Sequence, residues 1–233
     1  MLAQPSKVLV YNYFKGESLI DEKETLMANI RSILALGPVM PVIVIDEAAD
    51  GVPLAEALLS GGISTIEITL RTQAALGAME AIAKSCPEMV IGAGTVLEEN
   101  DAKRAKDAGA VFAVSPGATP ALIAGCATVG LDLLPGATSA SEAMVLLEQG
   151  FDTLKFFPAV PAGGAPFLKS LASPLPQITF CPTGGITQQT AGDFLALDNV
   201  MCVGGSWLAT RDDIAQKQFA AITQRAKSAS QLS

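Results

Sequence analysis

Apolar residues along the chain gather into short runs bounded by glycine, proline or polar clusters. Eight of these runs, 39–45, 65–70, 89–96, 110–116, 131–137, 153–159, 178–184 and 200–206, have the composition of β-strands. They begin roughly every 21 to 26 residues. Between them the period changes to that of amphipathic helices, as in Leu54 to Leu59 and Ser139 to Leu147, and glycines at 61–62, 109 and 150 stand where helices should stop. A strand–loop–helix unit repeated eight times without a long gap predicts parallel strands joined by crossover helices. A doubly wound nucleotide-binding sheet would carry Gly-x-Gly-x-x-Gly after its first strand, and Asp46-Glu47-Ala48-Ala49-Asp50-Gly51 stands there instead. The expected architecture is therefore α/β, a (β/α)8 TIM barrel, with an extra N-terminal helix at about 23–36 over the barrel's N-terminal mouth. Residues 1–22 do not share the repeat and read as an N-terminal arm, with 23–233 as a single (β/α)8 domain.

Composition narrows the range of partners. Half of the 233 residues are apolar, enough for one sizeable core. A formal net charge of −8 argues against nucleic acid and anionic membrane surfaces, which select clustered positive charge. No apolar run approaches the roughly 18 residues of a membrane span, and the N-terminus lacks the order of a signal peptide, so a cytoplasmic enzyme with a small-molecule partner is expected. The four cysteines, Cys86, Cys126, Cys181 and Cys202, lie far apart and read as buried thiols. The chain contains no histidine. That removes histidine-based triads, imidazole zinc sites and any histidine general base, and acid–base work falls to carboxylates, lysine, tyrosine, cysteine or water. No cluster of metal ligands is present in the sequence, and no metal or cofactor is expected.

One lysine falls inside a predicted strand. Lys155, in Thr153-Leu154-Lys155-Phe156-Phe157-Pro158, is flanked by apolar residues, whereas the other nine lysines lie in the N-terminal segment or on solvated helical patterns. Burial disfavours the charged form of an amine, and a neutral amine is the form that attacks a carbonyl to give an imine. Alternation sends Thr153, Lys155 and Phe157 into the barrel and Leu154 and Phe156 toward the helices. The same alternation in Ile66-Glu67-Ile68-Thr69-Leu70-Arg71 puts Glu67, Thr69 and Arg71 on the inner face. Glu67 and Lys155 are thus expected to share the interior, either as a structural ion pair or as a catalytic acid–base and nucleophile. Desolvation makes such a pair a poor device for stability, which favours the second reading. Arg71, at the end of its strand, suits bidentate recognition of a carboxylate, or a loop salt bridge. Thr95 suits either a hydrogen bond to substrate or a cap on the following helix.

Glycine turns close the last two strands, Pro182-Thr183-Gly184-Gly185-Ile186 and Val203-Gly204-Gly205-Ser206-Trp207. Either turn alone could simply reverse the chain. Two matched turns after strands seven and eight of a barrel suggest a phosphate site, where backbone N–H groups approach the anion closely. Pro116, ending the fourth strand in Ser115-Pro116-Gly117, and Phe157 are read as further pocket walls.

Taken together, Gly62 to Arg71, Gly150 to Ala159, Gly92-Ala93-Gly94-Thr95-Val96, Ser115-Pro116-Gly117, Leu134-Pro135-Gly136, Cys181 to Ile186 and Gly204 to Trp207 resemble the signature segments of the KDPG/KHG aldolase family. The resemblance spans about residues 25–210. It implies a metal-independent class I aldolase that cleaves 2-keto-3-deoxy-6-phosphogluconate to pyruvate and glyceraldehyde 3-phosphate, with 4-hydroxy-2-oxoglutarate as a related substrate. It also implies a phosphorylated keto-acid partner and a homotrimer. By the same resemblance Lys155 is the Schiff-base lysine, Glu67 the general acid–base, and Arg71 and Thr95 the holders of the substrate carboxylate. Thr183 influences stereochemical choice, and Gly184, Gly185, Gly205 and Ser206 receive the phosphate. Alternatives are an aldolase for the galactonate epimer and a phosphosugar-binding barrel without catalysis.

Overall fold

The computed structural model describes residues 30–232. Among these residues eight parallel strands form the centre. They are β1 (Val39–Ile43), β2 (Thr65–Thr69), β3 (Val90–Gly94), β4 (Phe112–Val114), β5, split by Pro135 into Asp132–Leu134 and Gly136–Ala137, β6 (Thr153–Phe156), β7 (Thr179–Pro182) and β8 (Val203–Gly205). Each pairs with its sequence neighbour from β1 through β7, and β8 returns to β1 with Val39 opposite Val203 and Met40 opposite Gly204. Bridges Phe180 to Val200 and Thr183 to Gly204 complete the ring between β7 and β8. Pro135 has no N–H for the ladder, yet its carbonyl still accepts from the Lys155 backbone N–H at 2.9 Å, so the ring continues past the break.

The strands are shorter than the apolar runs that foretold them. Predicted strand six, 153–159, ends at Phe156 because Pro158 lies two residues on, and Ala159 and Val160 donate instead to the carbonyls of Thr183 and Gly184. Helices α1 (Ile30–Leu34), α2 (Gly51–Ser60), α3 (Ala75–Ser85), α4 (Glu99–Asp107), α5 (Pro120–Val129), α6 (Ala140–Glu148), α7 (Gly164–Ala172), α8 (Ala191–Leu195), α9 (Arg211–Ala215) and α10 (Phe219–Ala229) follow one another around the ring. Their starts are written locally. Thr119 accepts from the Leu122 N–H with Pro120 opening α5, and Ser139 and Glu142 form a reciprocal capping box on α6. Gly109 and Gly150 follow α4 and α6 with φ of 94° and 91°, the left-handed conformation that releases a chain from a helix.

Alternation along each strand divides two cores. The outward side chains of Ile66, Ile68, Leu154, Phe156 and Phe180 join the helices in the larger one, where the Phe156 ring stacks on Phe167 of α7 with centroids 5.5 Å apart. Met40, Phe112, Val114, Leu134, Cys181 and Cys202 point inward and pack with Ile33 and Leu34 of α1. Each large apolar side chain buried this way contributes about 1.5–3 kcal/mol. Helix α1 thus covers the N-terminal mouth, as expected of the extra helix, although 23–29 of that predicted 23–36 segment, and the predicted arm 1–22, lie outside the described residues. Among the described residues no helix is long and apolar enough to cross a membrane.

Candidate active site

The C-terminal half of the barrel interior is polar where the other half is apolar. Glu67, on the inner face of β2, and Lys155, on the inner face of β6, meet across it. Lys155 Nζ lies 3.1 Å from Glu67 Oε1 and 3.3 Å from Oε2, with side chains 6% and 1% exposed. Two charges this far from water are costly to keep, so the pair is weak evidence for stability and good evidence for a task. The Phe157 ring stands 5.5 Å from Nζ and limits water on that side. Thr138 donates its hydroxyl to the Phe157 carbonyl at 2.6 Å, fixing the wall that carries the ring.

Glu67 reaches Lys155 because β3 makes room. Gly94 is the β-ladder partner of Thr69, and a Cβ placed on it would lie 2.2 Å from Glu67 Oε1. Two residues earlier, a Cβ on Gly92 would lie 2.2 Å from Cζ of Phe112, whose ring fills the interior beneath the ion pair. Thr69, also facing inward, donates its hydroxyl to the Ile43 carbonyl at 2.8 Å and ties β2 to β1.

Arg71 follows β2 and is exposed. Its Nε donates to Thr95 Oγ1 at 3.0 Å, which leaves both Nη groups for another acceptor. No carboxylate of the described residues pairs with Arg71, and the N-cap of α4 is Glu98 rather than Thr95. The loop salt bridge and the helix cap, both open from sequence, are therefore not what these side chains make here. Thr95 adopts φ of 61°, a left-handed conformation that a β-branched residue holds only at a cost of about 1–3 kcal/mol. Two rare features, the strained backbone and the arginine contact, fall on one residue at the barrel mouth.

The two glycine turns lie side by side because Thr183 bridges Gly204. Gly184 and Gly185 have φ of 104° and 80°, so their turn is open only to glycine without strain. Gly185 and Ser206 are exposed, Gly184 and Pro116 are half-buried, and Gly205 is buried under the Trp207 ring, where a Cβ would meet Cζ3 at 2.1 Å. Among the described residues no group of three or more histidine, cysteine or acidic side chains has metal-ligand spacing. All four cysteines are buried and unpaired in disulfides, and burial pushes the Cys126 thiol up to about 11. Glu67 and Lys155, expected from the alternation to share the interior, do so, and the two glycine turns are neighbours. Sequence reasoning missed Thr138 and the space-making role of Gly94, although the inward spacing of Gly92 and Gly94 carried a signal for the latter.

A family model described as "Aldolase: KDPG and KHG aldolase" matches residues 30–225. The KHG/KDPG aldolase of Escherichia coli strain K12 is 44% identical over 198 residues, covering 85% of this chain and 93% of that protein. The 2-dehydro-3-deoxy-phosphogluconate aldolase of Zymomonas mobilis is 47% identical over 206 residues, covering 88% and 96%. Among solved structures, KDPG aldolase from Legionella pneumophila, with pyruvate captured at low pH as a covalent carbinolamine intermediate, superposes with a TM-score of 0.85. It is 43% identical, with 87% of this chain and 98% of that one covered.

Proposed function

Because the chain belongs to the KDPG and KHG aldolase family, we propose that its barrel cleaves 2-keto-3-deoxy-6-phosphogluconate to pyruvate and glyceraldehyde 3-phosphate, and 4-hydroxy-2-oxoglutarate to pyruvate and glyoxylate. The protein is a metal-independent class I aldolase, a carbon–carbon lyase. The observation that carries the assignment of roles is the buried contact of Lys155 Nζ with Glu67 Oε1 at 3.1 Å.

Lys155 passes its proton to Glu67 and adds as the neutral amine to the C2 ketone; the carbinolamine takes that proton back and loses water to give a protonated imine. That cation draws the electron pair of the C3–C4 bond toward nitrogen, while Glu67, directly or through one water, takes the C4 hydroxyl proton. The aldehyde leaves, Glu67 returns a proton to C3 of the enamine, and hydrolysis of the resulting imine frees pyruvate and the amine. One carboxylate serves as base and then as acid. Arg71 and Thr95 hold the C1 carboxylate, the arginine through the Nη groups that Thr95 leaves unused. Backbone N–H groups of Gly184, Gly185, Gly205 and Ser206 receive the phosphate, and Pro116 and Phe157 form the walls. Thr183 stands beside the reacting carbons and bears on which C4 epimer is accepted.

The reading extends to a single domain over 23–233, a homotrimer and a cytoplasmic location. Exposed Leu97, Met144 and Val145 support association, and four cysteines without a disulfide support a reducing compartment. Borohydride added with pyruvate should fix a stable N-alkyl group on the peptide carrying Lys155. An unmodified Lys155, or modification of another lysine, removes the assigned role. Turnover of both C4 epimers, followed by pyruvate release, separates the gluconate from the galactonate substrate, and failure to trap or turn over either leaves only a binding barrel.

A further inference from the structure

We propose that Arg211 is a specificity-determining residue for highly charged substrates, acting by neutralising Asp46 at the rim of the barrel's C-terminal mouth. The inference rests on the proposed function, which brings a substrate with both a carboxylate and a phosphate to that rim.

The chain has a formal net charge of −8, yet that substrate carries about three negative charges near neutral pH. Local charge at the entrance therefore matters. The loop after β1 is acidic at Asp46, Glu47 and Asp50, and it lies between the two anion-binding ends of the proposed site. On one flank Thr72, next to Arg71, donates its hydroxyl to the Ile45 carbonyl at 2.5 Å. On the other flank β1 pairs with β8, whose closing turn carries Gly205 and Ser206. The segment that follows this turn covers two of the three acids. Arg211, five residues beyond Ser206, donates Nε to Asp46 Oδ2 at 2.5 Å and Nη2 to Oδ1 at 2.6 Å, and Lys217 pairs with Asp50. Glu47 has no ion pair among the described residues.

The Arg211 and Asp46 side chains are 64% and 39% exposed. A pair so open to water adds little to folding stability, whereas its charges act on an incoming anion over roughly a Debye length. Without the guanidinium the loop would present two adjacent bare carboxylates, Asp46 and Glu47, to a polyanion. Each negative charge on the substrate adds to that repulsion, so a singly charged keto acid is affected least.

The test compares wild type, Arg211→Gln, Asp46→Asn, the double variant and the charge-keeping Arg211→Lys in cleavage of 2-keto-3-deoxy-6-phosphogluconate, at ionic strengths from about 10 mM to about 0.5 M. Half-saturation of borohydride trapping by pyruvate, which has one charge, is measured in parallel. At low salt Arg211→Gln should lower kcat/KM about 5-fold, mostly through KM, and at high salt by less than about 2-fold. Half-saturation by pyruvate should move by less than about 2-fold throughout. Arg211→Lys and the double variant should stay within about 2-fold of wild type, because one keeps a cation over Asp46 and the other leaves no carboxylate there to cover. Asp46→Asn alone should match or exceed wild type.

An Arg211→Gln protein indistinguishable from wild type at low salt overturns the inference. So does a loss that persists in the double variant, which would show that Arg211 touches the substrate or that the pair only staples the loop. A loss indifferent to salt, or an equal loss in Asp46→Asn, overturns it as well. Should the wild type trap pyruvate but fail to cleave the phosphorylated substrate, the proposed function falls and this inference falls with it.

Discussion

The two ends of the barrel interior obey the same alternation and have opposite contents. Toward the N-terminal mouth, Met40, Phe112, Val114, Leu134 and two thiols pack against Ile33 and Leu34, and even the Cys202 thiol turns to Cys181 Sγ at 3.5 Å. That hydrogen bond, with burial, holds the Cys202 thiol well above its ordinary range. Toward the C-terminal mouth, Glu67, Thr69, Lys155 and Thr183 occupy equivalent inward positions. One end is filled so that the ring holds; the other gives up packing to keep charged groups inside, where the proposed chemistry would take place. The difference implies that the ends can be perturbed separately.

Lys155→Ala should give the largest effect, a loss of turnover on the order of 10⁴-fold or more, with borohydride trapping abolished. Residual turnover near wild type would mean that the polar end has another nucleophile. Phe112→Ala, at the sealed end, should lower unfolding free energy by about 3–5 kcal/mol in denaturant titration while the folded fraction still traps pyruvate. Loss of trapping in folded Phe112→Ala would show the two ends to be mechanically one. Glu67→Gln should slow turnover about 10²-fold and leave imine formation less affected. Equal loss of both steps would return Glu67 to a structural role.

The smallest effect belongs to a helix start outside both ends. Hydrogen bonds from the Thr138 backbone, then from Ser139, hold the Glu142 carboxyl below its ordinary range against the opposing effect of burial. A depressed folded-state pKa adds stability that is present above the unfolded value and disappears as pH falls through the folded one. Glu142→Gln keeps a hydrogen-bonding side chain at the exposed capping position and removes only its charge, so it should cost about 0.5 kcal/mol or less near neutral pH and progressively less in acid. A pH-independent difference would show that the ionised cap is not the cause.

Much of this division was legible in the chain. Eight apolar runs gave the ring, and period-two reading placed Glu67 and Lys155 on inner faces because a strand's side chains have only two directions. Strand ends were less legible, since Pro135 and Pro158 stop hydrogen-bonding ladders that apolar composition would continue. Least legible were contacts that depend on distance between strands. Gly94 facing Glu67, Gly204 facing Thr183 and Trp207 lying over Gly205 all require the folded ring. The Thr138 contact with the Phe157 carbonyl spans 19 residues and left no local pattern.

Thr95 sets a boundary on how this enzyme can be improved. Its φ of 61° would be relaxed in glycine or asparagine, so a selection that rewards heat resistance alone would drift toward those residues. Either exchange discards the hydroxyl that receives Arg71 Nε, and the arginine would lose its fixed orientation. Thermal hardening at position 95 and the hold on a keto acid proposed for Arg71 are thus opposed by the geometry of one residue.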